Sequence, residues 1–299
     1  MLTSERGAWA LMWLAIAACT PYLVLKLLWL SGQTIGIRGA SGVAEMADSR
    51  HVVGNVVTVG LELCAIVLAA ALSSGWGRRL PAAVVVLPMW VATGLLAPIA
   101  LGLAVGLAVQ GAAGGSPIPA DQGLYGWVFA LVYGGFAALG TCLALLFIRY
   151  ARARWPQVRA HAVPRTPAAV VAAAVVGCYG VALCAWSVGG TAWGGPAGFT
   201  TAAQRTTLAA TGVLTLVGVI AVFRPWIAGR WRLVAVWIGT SVSVLAGPTH
   251  VLLSNKAQPG PVLLVSAVAA AVAGAMLTRA VLRARPQEHR TALAPTPQV

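Results

Sequence analysis

Two ionisable side chains stand inside long apolar runs, Lys26 within Trp9–Ser31 and Glu62 within Val52–Ser73. A charge at the centre of a bilayer costs roughly 3 kcal/mol on insertion scales, so such residues mark proton relays, solute sites or buried pairs. A carboxylate there can exchange a proton or hold a cation, and an ammonium can neutralise it. His51, Asn55, Thr58 and Glu62 follow one another at spacings of four, three and four, which puts them in one stripe of a helix. Tyr22, Lys26 and Trp29 form a second stripe. Counted from the outer ends of their runs, Glu62 lies about 15 Å deep and Lys26 about 8 Å, a difference of roughly 7 Å. Side chains lean towards their own helix N-terminus, so Lys26 leans inwards and Glu62 outwards, and a Lys26–Glu62 pair is predicted. A polar groove closed by that pair would suit binding or transport of a small polar solute or proton. The competing structural role is a salt bridge that sets helix register, with the threonines bonded to their own backbone. Gln204, Thr207, Thr211 and Thr215 repeat the stripe without charge.

The elements that must position these residues follow from composition. The chain has 299 residues, 59% hydrophobic and 9% charged, with a mean hydropathy of +0.85. A soluble domain carries about a quarter of its residues charged, so that class is excluded. A hydrocarbon core of about 30 Å needs about twenty apolar residues per helix. Eight runs qualify: Trp9–Ser31, Val52–Ser73, Leu80–Val109, Tyr125–Ile148, Pro167–Val188, Thr206–Phe223, Leu233–Leu253 and Val262–Leu282. The fold class is an all-α membrane protein with about eight transmembrane helices. The third run is overlong and contains Pro88 and Pro98, which predicts either a tilted, kinked helix or one that ends near Pro98 and continues as a re-entrant segment.

A net charge of +14 and a pI near 11.0 would suggest a nucleic-acid partner in a soluble chain. Here fifteen of the twenty Lys and Arg residues fall on one side of the eight runs, the pattern of short cytoplasmic loops. Orientation and anionic lipid account for them, and no nucleic acid is expected. Both termini are predicted cytoplasmic, in a multi-pass protein of the cell (inner) membrane. Arg149, Arg152, Arg154 and Arg159 form the densest basic loop and could dock a cytoplasmic protein. That is the alternative reading, a non-transporting subunit, scaffold or sensor.

Cys19, Cys64, Cys142, Cys178 and Cys184 all fall inside the runs with no C-x-x-C pair, and are expected to be reduced packing residues. His51 and His250 lie near the outer face, and neither has a second His at helical spacing, so they are expected to be interfacial and no metal or other cofactor is assigned. Most tryptophans, Trp76, Trp127, Trp155, Trp226 and Trp231 among them, sit near run ends as head-group anchors. Gly102-x3-Gly106 would permit close helix packing. Arg6 followed by an apolar run resembles a signal sequence, but the run continues through Trp29 and is expected to remain as the first helix. Residues from Pro286 are expected to form a disordered tail. There is no phosphate loop, no H-E-x-x-H and no G-x-S-x-G, and catalysis is hard to staff.

The chain also resembles itself. At an offset of 157, Tyr22, Trp29, Gly32 and Thr34 meet Tyr179, Trp186, Gly189 and Thr191; at 147, Trp90 and Thr93 meet Trp237 and Thr240. Two parallel four-helix repeats are expected, residues 1–155 and 156–285, followed by the tail 286–299. The tracts PYLVLKLLWLSG at 21–32, WGRRLP at 76–81 and PMWVATGLLAP at 88–98 resemble a family of polytopic, about eight-helix integral membrane proteins of high-GC actinobacteria. The resemblance covers most of the chain. It implies membrane topology and no catalytic residues, because no activity is attached to that family.

Overall fold

The computed structural model describes residues 5–118, 123–158, 163–223, 229–252 and 260–284. Nine α-helices occur among them: α1 Glu5–Leu30, α2 Gly39–Ala47, α3 Ser49–Ser73, α4 Ala82–Ala113, α5 Gly126–Arg154, α6 Pro167–Gly189, α7 Ala202–Phe223, α8 Gly229–Leu252 and α9 Pro261–Arg283. All except α2 are long and apolar enough to cross a membrane, so the chain is all-α with about eight spanning helices. Local chemistry sets several ends. Thr166 caps α6 by accepting from the Ala169 N–H at 3.3 Å, and Pro167 and Pro261 open α6 and α9, where a missing N–H costs no helix bond. Gly114, at φ 77°, ends α4 in a conformation that L side chains avoid.

The helices form two rings. In the first, α1, α3, α4 and α5 follow one another and α5 closes on α1; in the second, α6, α7, α8 and α9 do the same and α9 closes on α6. The long α4 joins them by lying against both α7 and α8. It runs unbroken through Pro88 and Pro98, so the predicted re-entrant alternative does not occur. Neighbouring helices tolerate such prolines because they support the freed backbone. Its buried face is a row at every fourth residue, Gly94, Pro98, Gly102, Gly106 and Gln110. Methyl groups added there would collide with the other ring: at Gly94 with the Ser241 carbonyl oxygen at 2.6 Å, at Gly102 with Thr207 Cα at 2.6 Å, and at Gly106 with the Ala203 carbonyl oxygen at 2.9 Å. Gly102-x3-Gly106 is thus part of a longer seam of small residues that admits close backbone approach.

The rings are unequal. Gly218 of α7 and Gly239 of α8 stand back to back, and a Cβ on Gly239 would lie 2.1 Å from Gly218 Cα. The matching pair in the first ring, α3 and α4, touches only sparsely. Most of α3 therefore faces outwards, with Val53, Val56, Val57 and Val67 exposed as lipid-facing residues.

At the arginine-rich end, side chains satisfy helix-terminal carbonyls that lack an intrahelical donor. Arg232 is buried and donates Nε to the Ala221 carbonyl and Nη2 to that of Val222, both at 3.0 Å. Removing it strands the Ala221 carbonyl at the end of α7 and leaves that of Val222 with only the Val163 N–H, at 3.3 Å. Arg232→Ala is expected to cost about 2–3 kcal/mol in the detergent-solubilised protein, read as a lower unfolding temperature. Arg230→Ala, which alters an exposed neighbour, should leave it unchanged.

Candidate functional site

α1 and α3 are antiparallel, and two contacts fix their register. The Lys26 Nζ donates to Asn55 Oδ1 at 2.5 Å, and the Cys19 thiol meets the Glu62 carbonyl oxygen at 3.8 Å. Lys26 therefore lies level with Asn55, while Glu62 lies seven residues farther along α3, about 10.5 Å deeper at 1.5 Å per residue. The predicted Lys26–Glu62 pair is not formed. The ends of the apolar runs understate the difference in depth, and an amide acceptor on the facing helix captures the ammonium first. Lys26 is 8% exposed and also lies 4.8 Å from the Tyr22 ring centroid and 5.1 Å from that of Trp29, which adds cation–π stabilisation to one hydrogen bond. Tyr22 is held edge-on by Phe136 of α5, with ring centroids 5.3 Å apart.

Glu62 is 3% exposed, and neither carboxylate oxygen has a hydrogen-bond partner. Buried polar groups are nearly always bonded, and a buried carboxyl without a partner is costly as an ion. The carboxyl is thus poised to take up a proton or a cationic group.

The remaining predicted residues distribute along the same face. His51 lies in the first turn of α3, its Nε2 3.7 Å from a carboxylate oxygen of Glu45 on α2. Thr58 donates to the Gly54 carbonyl at 2.7 Å within its own helix and contributes no free donor. The threonines of α7 behave likewise: Thr207, Thr211 and Thr215 donate to Ala203, Thr207 and Thr211. That stripe is closed on itself, and Gln204 bonds the N–H groups of Thr200 and Thr201.

His250, in the last turn of α8, is packed inside the protein. It is 4% exposed, its Nδ1 lies 3.2 Å from Tyr179 Oη, and its ring packs edge-on against Phe199. The cysteines divide: Cys19 and Cys142 are buried packing residues, whereas Cys64 and Cys178 are exposed on the apolar surface. Among the basic-loop residues, Arg154 is not free to dock a partner, because it donates to the Gly77 and Leu80 carbonyls and to Tyr150. Arg159 and Trp226, like the tail 286–299, lie outside the described residues. Sequence reading missed Gln110. It donates to the Gly114 carbonyl at 2.6 Å and accepts from the Ala203 N–H at 3.1 Å, pinning the C-terminal end of α4 to the start of α7. Its position at the end of the seam row was the available signal.

The matched residues of the two halves make matched contacts. Trp90 Nε1 donates to Thr240 Oγ1 at 3.2 Å and Trp237 Nε1 to Thr93 Oγ1 at 3.0 Å, a reciprocal exchange between α4 and α8. Trp29 Nε1 donates to the Ile35 carbonyl just before Gly36, at φ 79°, and Trp186 Nε1 to the Trp193 carbonyl just before Gly194, at φ 80°. The offset of 157 sets Leu183 where Lys26 stands. On α7, an offset of 153 sets Leu208 where Asn55 stands and Thr215 where Glu62 stands. The α6–α7 register agrees, since Cys184 Sγ reaches the Ala209 carbonyl at 3.9 Å and Leu183 and Leu208 share one apolar cluster. Polar residues thus occupy the first ring at positions where the second ring is apolar or self-satisfied.

The fold defines a multi-pass helical protein. No protein-family model, curated protein or solved structure matches the chain.

Proposed function

We propose that the chain binds, and carries across the cell (inner) membrane, a small polar solute or proton at Glu62, through the outer half of α1 and α3. The observation that carries this reading is the Glu62 carboxyl, 3% exposed with both oxygens unpartnered. The loose α3–α4 packing supports it, because α3 packs closely on α1 and only sparsely on α4 and α5, so that its polar face can part from those two neighbours at modest cost. The chain is a duplicated one, two parallel four-helix repeats about an axis between α4 and α8, with both termini cytoplasmic. The reciprocal Trp90–Thr240 and Trp237–Thr93 bonds are what a two-fold relation produces. The first repeat carries the site and the second is its apolar counterpart.

The test uses full-length protein in liposomes loaded with a pH-sensitive dye, with a pH gradient imposed and potassium–valinomycin to clamp the potential. The wild type is expected to dissipate the gradient, and Glu62→Gln to slow it at least tenfold with membrane abundance retained. Equal rates at equal abundance in the two proteins would refute a proton role for Glu62. Loss of abundance in Glu62→Gln would make the residue structural.

A further inference from the structure

The arginines of the described residues fall into two groups by what they touch. Arg154, Arg205 and Arg232 are committed to main-chain carbonyls. Arg78, Arg149 and Arg152 make no hydrogen bond or ion pair among the described residues, yet they line one cleft of about 460 Å³ at the arginine-rich end of the first ring. Glu5 is the one carboxylate among its lining residues, so the three guanidinium groups leave the cleft with an excess of positive charge. Like charges gathered in a concave site repel, and an anion relieves that repulsion.

The cleft is also held in shape before anything enters it. Tyr150 Oη donates to the Gly77 carbonyl at 2.9 Å, and Arg154 donates to the Leu80 carbonyl at 2.7 Å, which fixes the turn bearing Arg78. Arg149 and Arg152 are three residues apart on α5 and share a face. Leu145 and Ile148, on the same face of α5 as Arg149 and Arg152 and nearer the helix start, line the cleft together with Leu72 and make that part of it apolar. A cleft in which aliphatic side chains give way to guanidinium groups along one helix face is complementary to an amphiphile bearing phosphate.

We propose that this cleft is a binding site for a phosphate group, supplied by the head group of an anionic phospholipid, with acyl chain lying along Leu145 and Ile148. The orientation rule alone accounts for positive charge at this end; it does not account for three unpartnered arginines lining one preformed cavity. This site is separate from Glu62 and does not depend on the reading given to that residue.

Full-length protein is titrated with phosphatidylglycerol or phosphatidylcholine in detergent and followed by native mass spectrometry. The wild type is expected to retain one phosphatidylglycerol in preference to phosphatidylcholine, and Arg149→Gln/Arg152→Gln to weaken that retention at least tenfold. Arg279→Gln/Arg283→Gln removes the same charge at exposed positions outside the cleft and is expected to bind as the wild type does. Unfolding temperature, measured in lipid-free detergent, checks that each variant is folded. Equal weakening in both double variants, or no preferential lipid on the wild type, would overturn the proposal. Inorganic phosphate and glycerol phosphate are titrated in parallel. Displacement of lipid only at concentrations far above that of the lipid supports the lipid as the source, and equal potency would reassign the site to a soluble phosphate.

Discussion

Replacing Asn55 by Leu is expected to destabilise the folded protein by about 3–5 kcal/mol, and adding Lys26→Leu to the same chain to recover most of that loss. The single change removes the acceptor 2.5 Å from a buried ammonium and leaves the charge with only two aromatic faces. The double change removes the charge as well, and it copies the second ring, where Leu183 and Leu208 are buried together. Lys26→Leu alone strands the Asn55 amide and is expected to cost about 1–2 kcal/mol. The measurement is a double-mutant cycle on equilibrium unfolding in mixed micelles. Additive single effects would mean that the 2.5 Å contact carries no coupling and that the rings differ for another reason. A double variant that is stable and transport-defective would show that the polar pair serves the site and not the fold.

Gly239→Val is expected to abolish accumulation of folded protein. A Cβ at Gly239 already falls 2.1 Å from Gly218 Cα, a backbone atom that no rotamer can move aside. The α7–α8 axes would have to separate, opening the Val242 and Ala246 layer that packs with Leu208. Overpacking in a close seam costs about 1–3 kcal/mol when side chains can shift and more when they cannot. Gly60→Ala is the matched control, because a methyl there meets nothing within 4 Å. The readout is the monodisperse fraction in detergent size exclusion. A monodisperse Gly239→Val protein with wild-type unfolding temperature would mean that the two helices do not meet at these glycines.

The eight spans were legible because each needs about twenty apolar residues, a pattern that survives without knowledge of packing. Their ends were less so. α3 begins at Ser49, before the apolar run does, and α4 continues to Ala113, because polar and small residues continue a helix that a hydropathy count stops. The short α2 was not read at all, since nine residues outside a span carry no membrane signal. Lys26, Asn55 and Glu62 were found as rare polar residues in apolar runs, but their partners were not. Depth counted from a run end is uncertain by a turn or more, and Asn55 and Glu62 stand only about two turns apart on the same face of α3. The reciprocal tryptophan bonds could not be foreseen either, because self-similarity says which residues correspond and nothing about which surfaces meet.

The glycine row of α4 bears on how the protein is made. α7, which covers Gly102 and Gly106, is synthesised about a hundred residues later, and α8, which covers Gly94, about a hundred and fifty. Until they enter the bilayer, α4 presents a bare furrow to lipid, and the first four spans form an incomplete assembly that waits for its lock. A ribosome pausing between α5 and α6 would prolong that exposure, when a quality-control protease or an insertion chaperone would meet it. A chain cut in the linker between α5 and α6 still holds both sides of the furrow, so co-expressed fragments should find one another, whereas the amino-terminal fragment produced alone should be degraded.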